Sequence, residues 1–404
     1  MGIFKRILPI LAVSLLAGSV FCESFFSGYA GGKLNYSANS TSESYNPDLK
    51  LQAFFQGQFN FSENLWSHME LSIDTGDFIS EELFHVTPSD FSIDELSFIA
   101  KAQIDNSTNY FSAFMGTFDP IGSDIFFRRY FGVQPLASKI TESWLGMAGS
   151  ILYPHFGLGI SDVVKVYKAP IAFGFYGYLN HEDDKFFVIN ADLRFGCVFR
   201  YFSFDIAGGI GAPLSDKYEN EDVWFAVDKF YWHAGTTMLI GNNYTQSVYI
   251  QAGLFNAPFT KASKKIAATQ EDVYLLLEPR FRIDNAHVNL SIYSFPEGTV
   301  KKLLFIDDTL GINLNIYTDS VTIGSKSFTI GTHFAYSFPG KYFLDLKNFK
   351  DVVSGDFNIN MTPYISSNFL SGELHSQITV KFMEFKRSEW YNAISVDLGY
   401  RTSF

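Results

Sequence analysis

The sequence predicts an all-β fold, a transmembrane antiparallel up-and-down β-barrel of about 18 strands with 16 as the alternative, and three observations predict it. Apolar and polar residues alternate along most of the chain, the connections between alternating runs are short and long in turn, and no stretch carries a convincing amphipathic-helix period. Composition agrees. A chain with 44 Phe, 22 Tyr and 31 Gly but only 18% charged residues, at a mean hydropathy near zero, suits β structure with much apolar surface, whereas helical membrane spans need a far more hydrophobic sequence.

The first element is of a different kind. Met1 to Arg6 carries Lys5 and Arg6, and Ile7 to Phe21 is an uncharged run too short to span comfortably as a helix. Residues 1–22 therefore read as a secretory signal, and 23–404 as a single barrel domain. Cleavage after Cys22 or a few residues later is expected, with lipid attachment at Cys22 as the open alternative. Removing Lys5 and Arg6 from a chain of 30 Lys+Arg and 42 Asp+Glu leaves a formal charge of −14. That balance argues against nucleic acid as a partner, since no basic stripe exists to hold phosphates. Cys197 is the only other cysteine, so no disulfide framework supports the fold.

Strands follow from near residue 28. After a strand over 28–36, Leu51, Ala53, Phe55, Gly57, Phe59 and Phe61 share one parity while Lys50, Gln52, Gln56, Gln58 and Asn60 share the other, which is one apolar and one wet face. Ser62, Glu63 and Asn64 turn the chain, and Leu65, Met69, Leu71 and Ile73 resume the pattern, so the two runs form a hairpin. Strands fit next at 93–104, 110–118, 171–179, 186–196, 200–210, 230–240 and 246–256. Val273 to Ile283 and Val288 to Ile292 alternate on either side of Asp284 and Asn285, and further strands fit at 309–317, 326–337, 355–366, 371–383 and 394–404. Residues 143–169 read as one long strand bent at Pro154, because both termini of a bacterial barrel lie on the periplasmic side and require an even count. Pro279 and Pro363 fall inside strands, where the missing amide donor is expected to break the ladder unless the site is a bulge or an edge.

A soluble β-sandwich also alternates, with its apolar face turned into a core. The export signal, the absence of any linker or composition shift, and the loop alternation favour the membrane instead. Hydrocarbon leaves backbone amides unsatisfied, so a spanning sheet must close on itself. The chain's last segment alternates Ile394, Val396, Leu398, Tyr400, Thr402 and Phe404 against polar neighbours. With Phe404, Tyr400, Leu398 and Val396 it resembles the terminal strand of bacterial outer-membrane β-barrels, with Thr402 a departure. The resemblance implies that Leu398, Tyr400 and Phe404 carry an assembly signal read by the barrel-assembly machinery, in the outer membrane of a diderm bacterium with outer-membrane lipid as solvent.

Function is expected in the lumen, since a barrel this wide holds water rather than being filled by its own wall side chains. The longest connection, 119–142, carries Ile125, Phe126, Phe127, Tyr130 and Phe131, which are unsuited to a solvated surface loop. By position and composition it resembles the inward-folded constriction loop of general porins. That resemblance implies Asp119, Asp124, Arg128 and Arg129 at the narrowest point, faced by wall residues Asp192, Arg194, Glu278, Arg280 and Arg282, with opposed charges biasing polar solutes. The alternative for Arg128 and Arg129 is that they pair with nearby carboxylates and staple the loop to the wall. Phe54, Trp66, Tyr274, Tyr293 and Tyr364 read as lumen packing or as a solute track.

No G-x-S-x-G, H-E-x-x-H, cysteine pair or phosphate-cradling glycine loop occurs, so an enzyme is not expected, nor a cofactor. The acidic stretches at 181–184 and 218–222 read as solvated loop tips rather than metal sites. The function expected is a porin-like channel for passive diffusion of small hydrophilic solutes, with a plugged ligand transporter or adhesin as the alternative and a homo-oligomeric state left open.

Overall fold

The computed structural model describes residues 26–38, 46–75, 77, 90–133, 138, 140–141, 156–180, 187–218, 221–227, 230–242, 245–259, 272–300, 303, 305–324, 326–339, 357–388 and 390–404. The signal over 1–22, the bend at Pro154 and the acidic stretch at 181–184 lie outside these residues. The strands are β1 (Phe26–Ala38), β2 (Pro47–Ser62), β3 (Leu65–Asp74), β4 (Asp90–Ile104), β5 (Ser107–Gly116), β6 (Gly157–Val166), β7 (Ile171–Asn180), β8 (Phe187–Phe199), β9 (Phe202–Tyr218), β10 (Glu221–Val227), β11 (Phe230–Asn242), β12 (Gln246–Phe259), β13 (Val273–Ile283), β14 (Ala286–Ser294), β15 (Leu310–Ile323), β16 (Lys326–Phe338), β17 (Asn358–Phe369), β18 (Gly372–Lys381) and β19 (Ile394–Ser403). Of the strand expected over 143–169, only β6 is described.

Apart from β10 and β11, each described strand pairs antiparallel with its sequence neighbour, and β1 also pairs with β19, so the ladder closes on itself. β10 and β11 share one position. β9 pairs with β11 over Phe202 to Gly211 and with β10 over Leu214 to Tyr218, so the 19 segments make an 18-position closed barrel. Tight turns are built where the sequence supplies a residue that tolerates positive φ, at Asp105 (49°) and Asp284 (52°) among others.

Burial divides the two parities in the sense opposite to a soluble protein. Along β8, Asp192 and Arg194 are 5% and 3% exposed while Leu193 between them is 68% exposed, and Ile160, Phe175, Ile210 and Ile312 on other strands also face outward. The sandwich alternative, with an apolar core, is not what the strands build. Inside-out burial on a closed sheet is the pattern of a barrel whose outer solvent is hydrocarbon. Among the described residues no helix is long and apolar enough to cross a membrane.

The two strand prolines interrupt the ladder without shifting it. Pro279 is paired with Val248, yet pairing to β14 lapses between Leu277↔Ile292 and Arg280↔Asn289 and resumes in the same register. Pairing of β17 to β18 lapses in the same way around Pro363. Side chains bridge both gaps on the lumen side. Ser291 Oγ donates to Glu278 Oε2 at 2.6 Å, and Thr362 Oγ1 to Thr379 Oγ1 at 3.0 Å. The sequence expectation of a bulge or an edge is replaced by a local gap that wall hydroxyls span.

Candidate functional site

Two segments between strands pack against inward-facing wall residues. The first begins where β5 ends. Gly116 has φ 106°, and a Cβ there would run into the Asp94 carbonyl, so glycine permits the sharp inward turn. Past Asp119 (φ 44°) and Gly122 the chain forms a π-helical turn, Phe127–Phe131, ended by Gly132 in the left-handed region. Phe126 and Phe127 are fully buried. Phe126, Tyr130 and Phe118 pack with wall residues Ile99, Phe114, Val163 and Tyr176, which is the burial that drives the segment inward.

Polar bonds then fix its seat. Arg129 donates to both carboxylate oxygens of Glu95 on β4, at 2.6 and 2.8 Å, and to Asp119 Oδ1 at 2.5 Å. Its guanidinium lies over the Phe118 ring, 4.2 Å from the centroid. Burial alone would lower the Arg129 pKa, but the Asp119 and Glu95 carboxylates more than reverse this and leave it raised. The Tyr130 and Tyr176 hydroxyls donate to Asp119 Oδ2 at 2.8 and 2.9 Å. Burial first, then the Asp119 charge, pushes the Tyr130 phenol well above its ordinary value, so it acts as a fixed donor.

The nine charged residues that sequence reasoning places at the constriction divide into three groups. Asp119, buried, and Arg129, half-buried, form the seat just described, and wall residues Asp192, Arg194, Glu278 and Arg280 are buried as well. Arg194 donates through Nη1 to the Asp119 carbonyl at 2.6 Å and pairs with Asp205. Asp192 accepts from Tyr178 at 3.0 Å and lies 2.7 Å from His233 Nε2. Glu278 holds Arg280 Nε at 2.8 Å and accepts from Ser138. Arg282 stands apart, exposed at the β13–β14 turn and donating to the Asp284 carbonyl at 3.0 Å. Asp124 is half-buried at the start of the helical turn, while Arg128 is exposed to the lumen. The two neighbouring arginines therefore do different things, one stapling and one pointing into open space.

The second segment lies within 295–309, between β14 and β15. Phe295, Val300, Leu303, Phe305 and Ile306 are buried and pack with Ile121, Tyr249, Tyr274 and Tyr293, so the two insertions share one apolar cluster inside the barrel. Phe305 stacks on His333, with ring centroids 4.3 Å apart. Asp307 pairs with Lys381 at 2.7 Å and accepts from Asn360 at 2.9 Å, and Asp308 accepts from Asn358 at 2.6 Å. Tyr274 and Tyr293 are thus packing residues. The sequence run Leu303 to Ile306 matches neither the strand nor the helix period, so alternation does not mark it.

The insertions seal one side only. Inward residues of β8, β9 and β11 to β14 are almost all buried, whereas Lys33, Asn35, Gln52, Gln56, Gln58, His68, His375 and Gln377 on β1, β2, β3 and β18 stay half-exposed. Gln377 and Asn35 both reach Asp397, at 3.0 and 2.9 Å, and Lys33 pairs with it at 3.2 Å. Two recesses open along this polar wall. One of about 570 Å³ lies beside Tyr29, Glu373 and Arg401, and one of about 350 Å³ lies between β2, β3 and the first insertion. Among the described residues no group of three or more His, Cys, Asp and Glu is arranged to hold a metal ion.

No protein-family model matches the chain, and no curated protein matches it either. Solved structures similar to it include mutants of the Rh. blastica porin, one at 10% identity and TM-score 0.43 and another at 8% and 0.39. Both alignments cover 94% of this chain and 99% of the other. A loop-deletion mutant of OmpT, an outer membrane protein of Vibrio cholerae, aligns at 8% identity and TM-score 0.37, covering 94% of this chain and 98% of its own. At such values no solute, residue role or mechanism transfers from them.

Proposed function

We propose that this chain is an outer-membrane, porin-like channel through which small hydrophilic solutes diffuse passively along the β18, β19, β1, β2 and β3 side of the lumen. One observation carries the reading. The inserted segments bury most of the inward face of β8, β9 and β11 to β14 but leave the opposite wall wet, lined by Lys33, Asn35, Gln52, Gln56, Gln58 and His68. A lumen meant to be shut would gain nothing from keeping one polar wall accessible. The outward band of Leu193, Ile160, Phe175 and Ile210 supports a seat in hydrocarbon. On this reading Arg128 stands beside the passage, and the buried charges around Asp119 and Arg194 hold the narrowing segment in place rather than meeting solute.

The test is planar-bilayer recording of refolded, detergent-purified protein whose barrel has been verified by heat-dependent gel mobility. Discrete open steps are expected, and Arg128→Glu shifts the reversal potential in a salt gradient toward cation preference. A folded protein that never conducts overturns the reading in favour of a plugged transporter or adhesin.

A further inference from the structure

We propose that the recess between β2, β3 and the first inserted segment is a binding site for a small hydroxylated monocarboxylate of sugar size, with Arg128 as its carboxylate anchor. The recess has a volume of about 350 Å³ and is lined by Gln56, Gln58, Trp66, His68, Ile125 and Arg128, with Arg129 behind. Arg128 is exposed, and its guanidinium makes no hydrogen bond or ion pair among the described residues. The other nitrogen-bearing side chains bordering this space that could face a carboxylate are engaged. Arg129 is held by Glu95 and Asp119, and His68 lies 2.8 Å from Glu70, a carboxylate buried to 1% exposure.

A guanidinium left free in a chamber is a fork suited to a planar carboxylate, which it binds through two parallel hydrogen bonds. The neighbouring groups say what else the ligand carries. Gln58 Nε2 is used on Asn60 Oδ1 at 2.9 Å, and Gln56 Nε2 lies 3.2 Å from His68 Nε2. The Gln58 amide oxygen is left to accept from a hydroxyl, and the Gln56 amide stands beside it on the same strand face. Trp66, half-buried and edge-on to Tyr110 at 6.3 Å, adds an aromatic face beside Ile125, and such a face packs against the C–H side of a sugar ring. A carboxylate, several hydroxyls and one apolar face together describe a sugar acid.

This site deepens the channel reading by naming a solute class, and its test does not depend on conduction. Saturation-transfer NMR on folded, detergent-solubilised protein is recorded with D-glucuronate as the probe and D-glucose as the neutral control. Saturable transfer to glucuronate is expected, with Arg128→Gln weakening it at least about tenfold, as loss of a charge-assisted hydrogen bond does. Arg128→Lys, which keeps the charge and loses the fork, falls between, and Trp66→Leu reduces transfer to the ring protons. Absence of saturable transfer in folded wild-type protein, equal affinity for glucose, or unchanged affinity in Arg128→Gln overturns the site. Binding retained by a protein silent in bilayers sinks the channel and leaves the site standing. Open channels without glucuronate binding do the reverse.

Discussion

Gly28 and Phe404 exchange both of their backbone hydrogen bonds, Phe404 N to Gly28 O at 3.0 Å and Gly28 N to Phe404 O at 3.1 Å, and so form the seam that closes the barrel. The Phe404 ring faces outward, stacked on Phe26 at 4.9 Å and near Phe55 at 5.8 Å. A residue expected from sequence to serve assembly thus also has a place in the folded wall. Leu398 points outward from the same strand, and Tyr400 donates its hydroxyl to the Leu370 carbonyl at 2.7 Å.

Replacing Phe404 by Ala removes two ring contacts at the seam and keeps the backbone pair. Aromatic pairs contribute about 0.5 to 1.5 kcal/mol each beyond their area. The temperature at which the folded band converts to the unfolded one on gels is expected to fall by several degrees. A midpoint equal to wild type would mean that the Phe26, Phe55 and Phe404 cluster does not hold the seam.

The Arg129 staple predicts a non-additive pair. Removing Arg129 leaves Glu95 and Asp119 buried without their cation, and breaking such a buried pair costs on the order of 3 to 5 kcal/mol. Arg129→Met is therefore expected to loosen the segment strongly and Glu95→Gln more mildly, with the double variant losing less than the two single losses combined. Denaturation midpoints of the four proteins read this directly. Additive losses would show that Arg129 and Glu95 are neighbours without coupling.

How much of this was legible in the sequence depends on the period of the signal. Strands with lipid on one face and lumen on the other repeat every two residues, so Leu51 to Phe61 and Ile394 to Phe404 declared themselves, and 18 positions followed. The first insertion was legible because Ile125 to Phe131 is too apolar for a solvated loop. The second was not, because Leu303 to Ile306 sits in a link of ordinary length and matches neither period. Least legible was the division between Arg128 and Arg129, identical side chains whose directions are set by the rotation per residue of the helical turn they share. The same holds for Arg194 and Arg280, which alternate correctly into the lumen but are covered there by a segment that strand patterning does not see.

Leu193 separates a membrane barrel from a soluble one. It is 68% exposed near the middle of β8, beside Phe175 across the ladder. If hydrocarbon surrounds it, Leu193→Arg costs about 2 to 4 kcal/mol near the midplane of the bilayer. If water does, the substitution is close to neutral, as surface changes usually are. Urea titration of protein folded into lipid vesicles is expected to show the large loss.

Gly122 and Gly132 test what seats the first insertion, because they share a strained backbone and differ in their surroundings. Both have positive φ, 72° and 66°, so an Ala at either position costs roughly 1 to 2 kcal/mol in backbone strain. Only at Gly122 does an added Cβ collide with anything, and what it meets is the Tyr274 hydroxyl, which donates to the Ile121 carbonyl at 3.1 Å and ties the segment to the far wall. Gly132→Ala is therefore expected to lower stability slightly and leave unitary conductance unchanged. Gly122→Ala must displace either Tyr274 or the segment, and is expected to raise conductance or open-channel noise while the barrel still shows its heat-dependent mobility. Identical recordings from the two variants would mean that the Tyr274 tie does not set the width of the passage, leaving that role to the Arg129 staple alone.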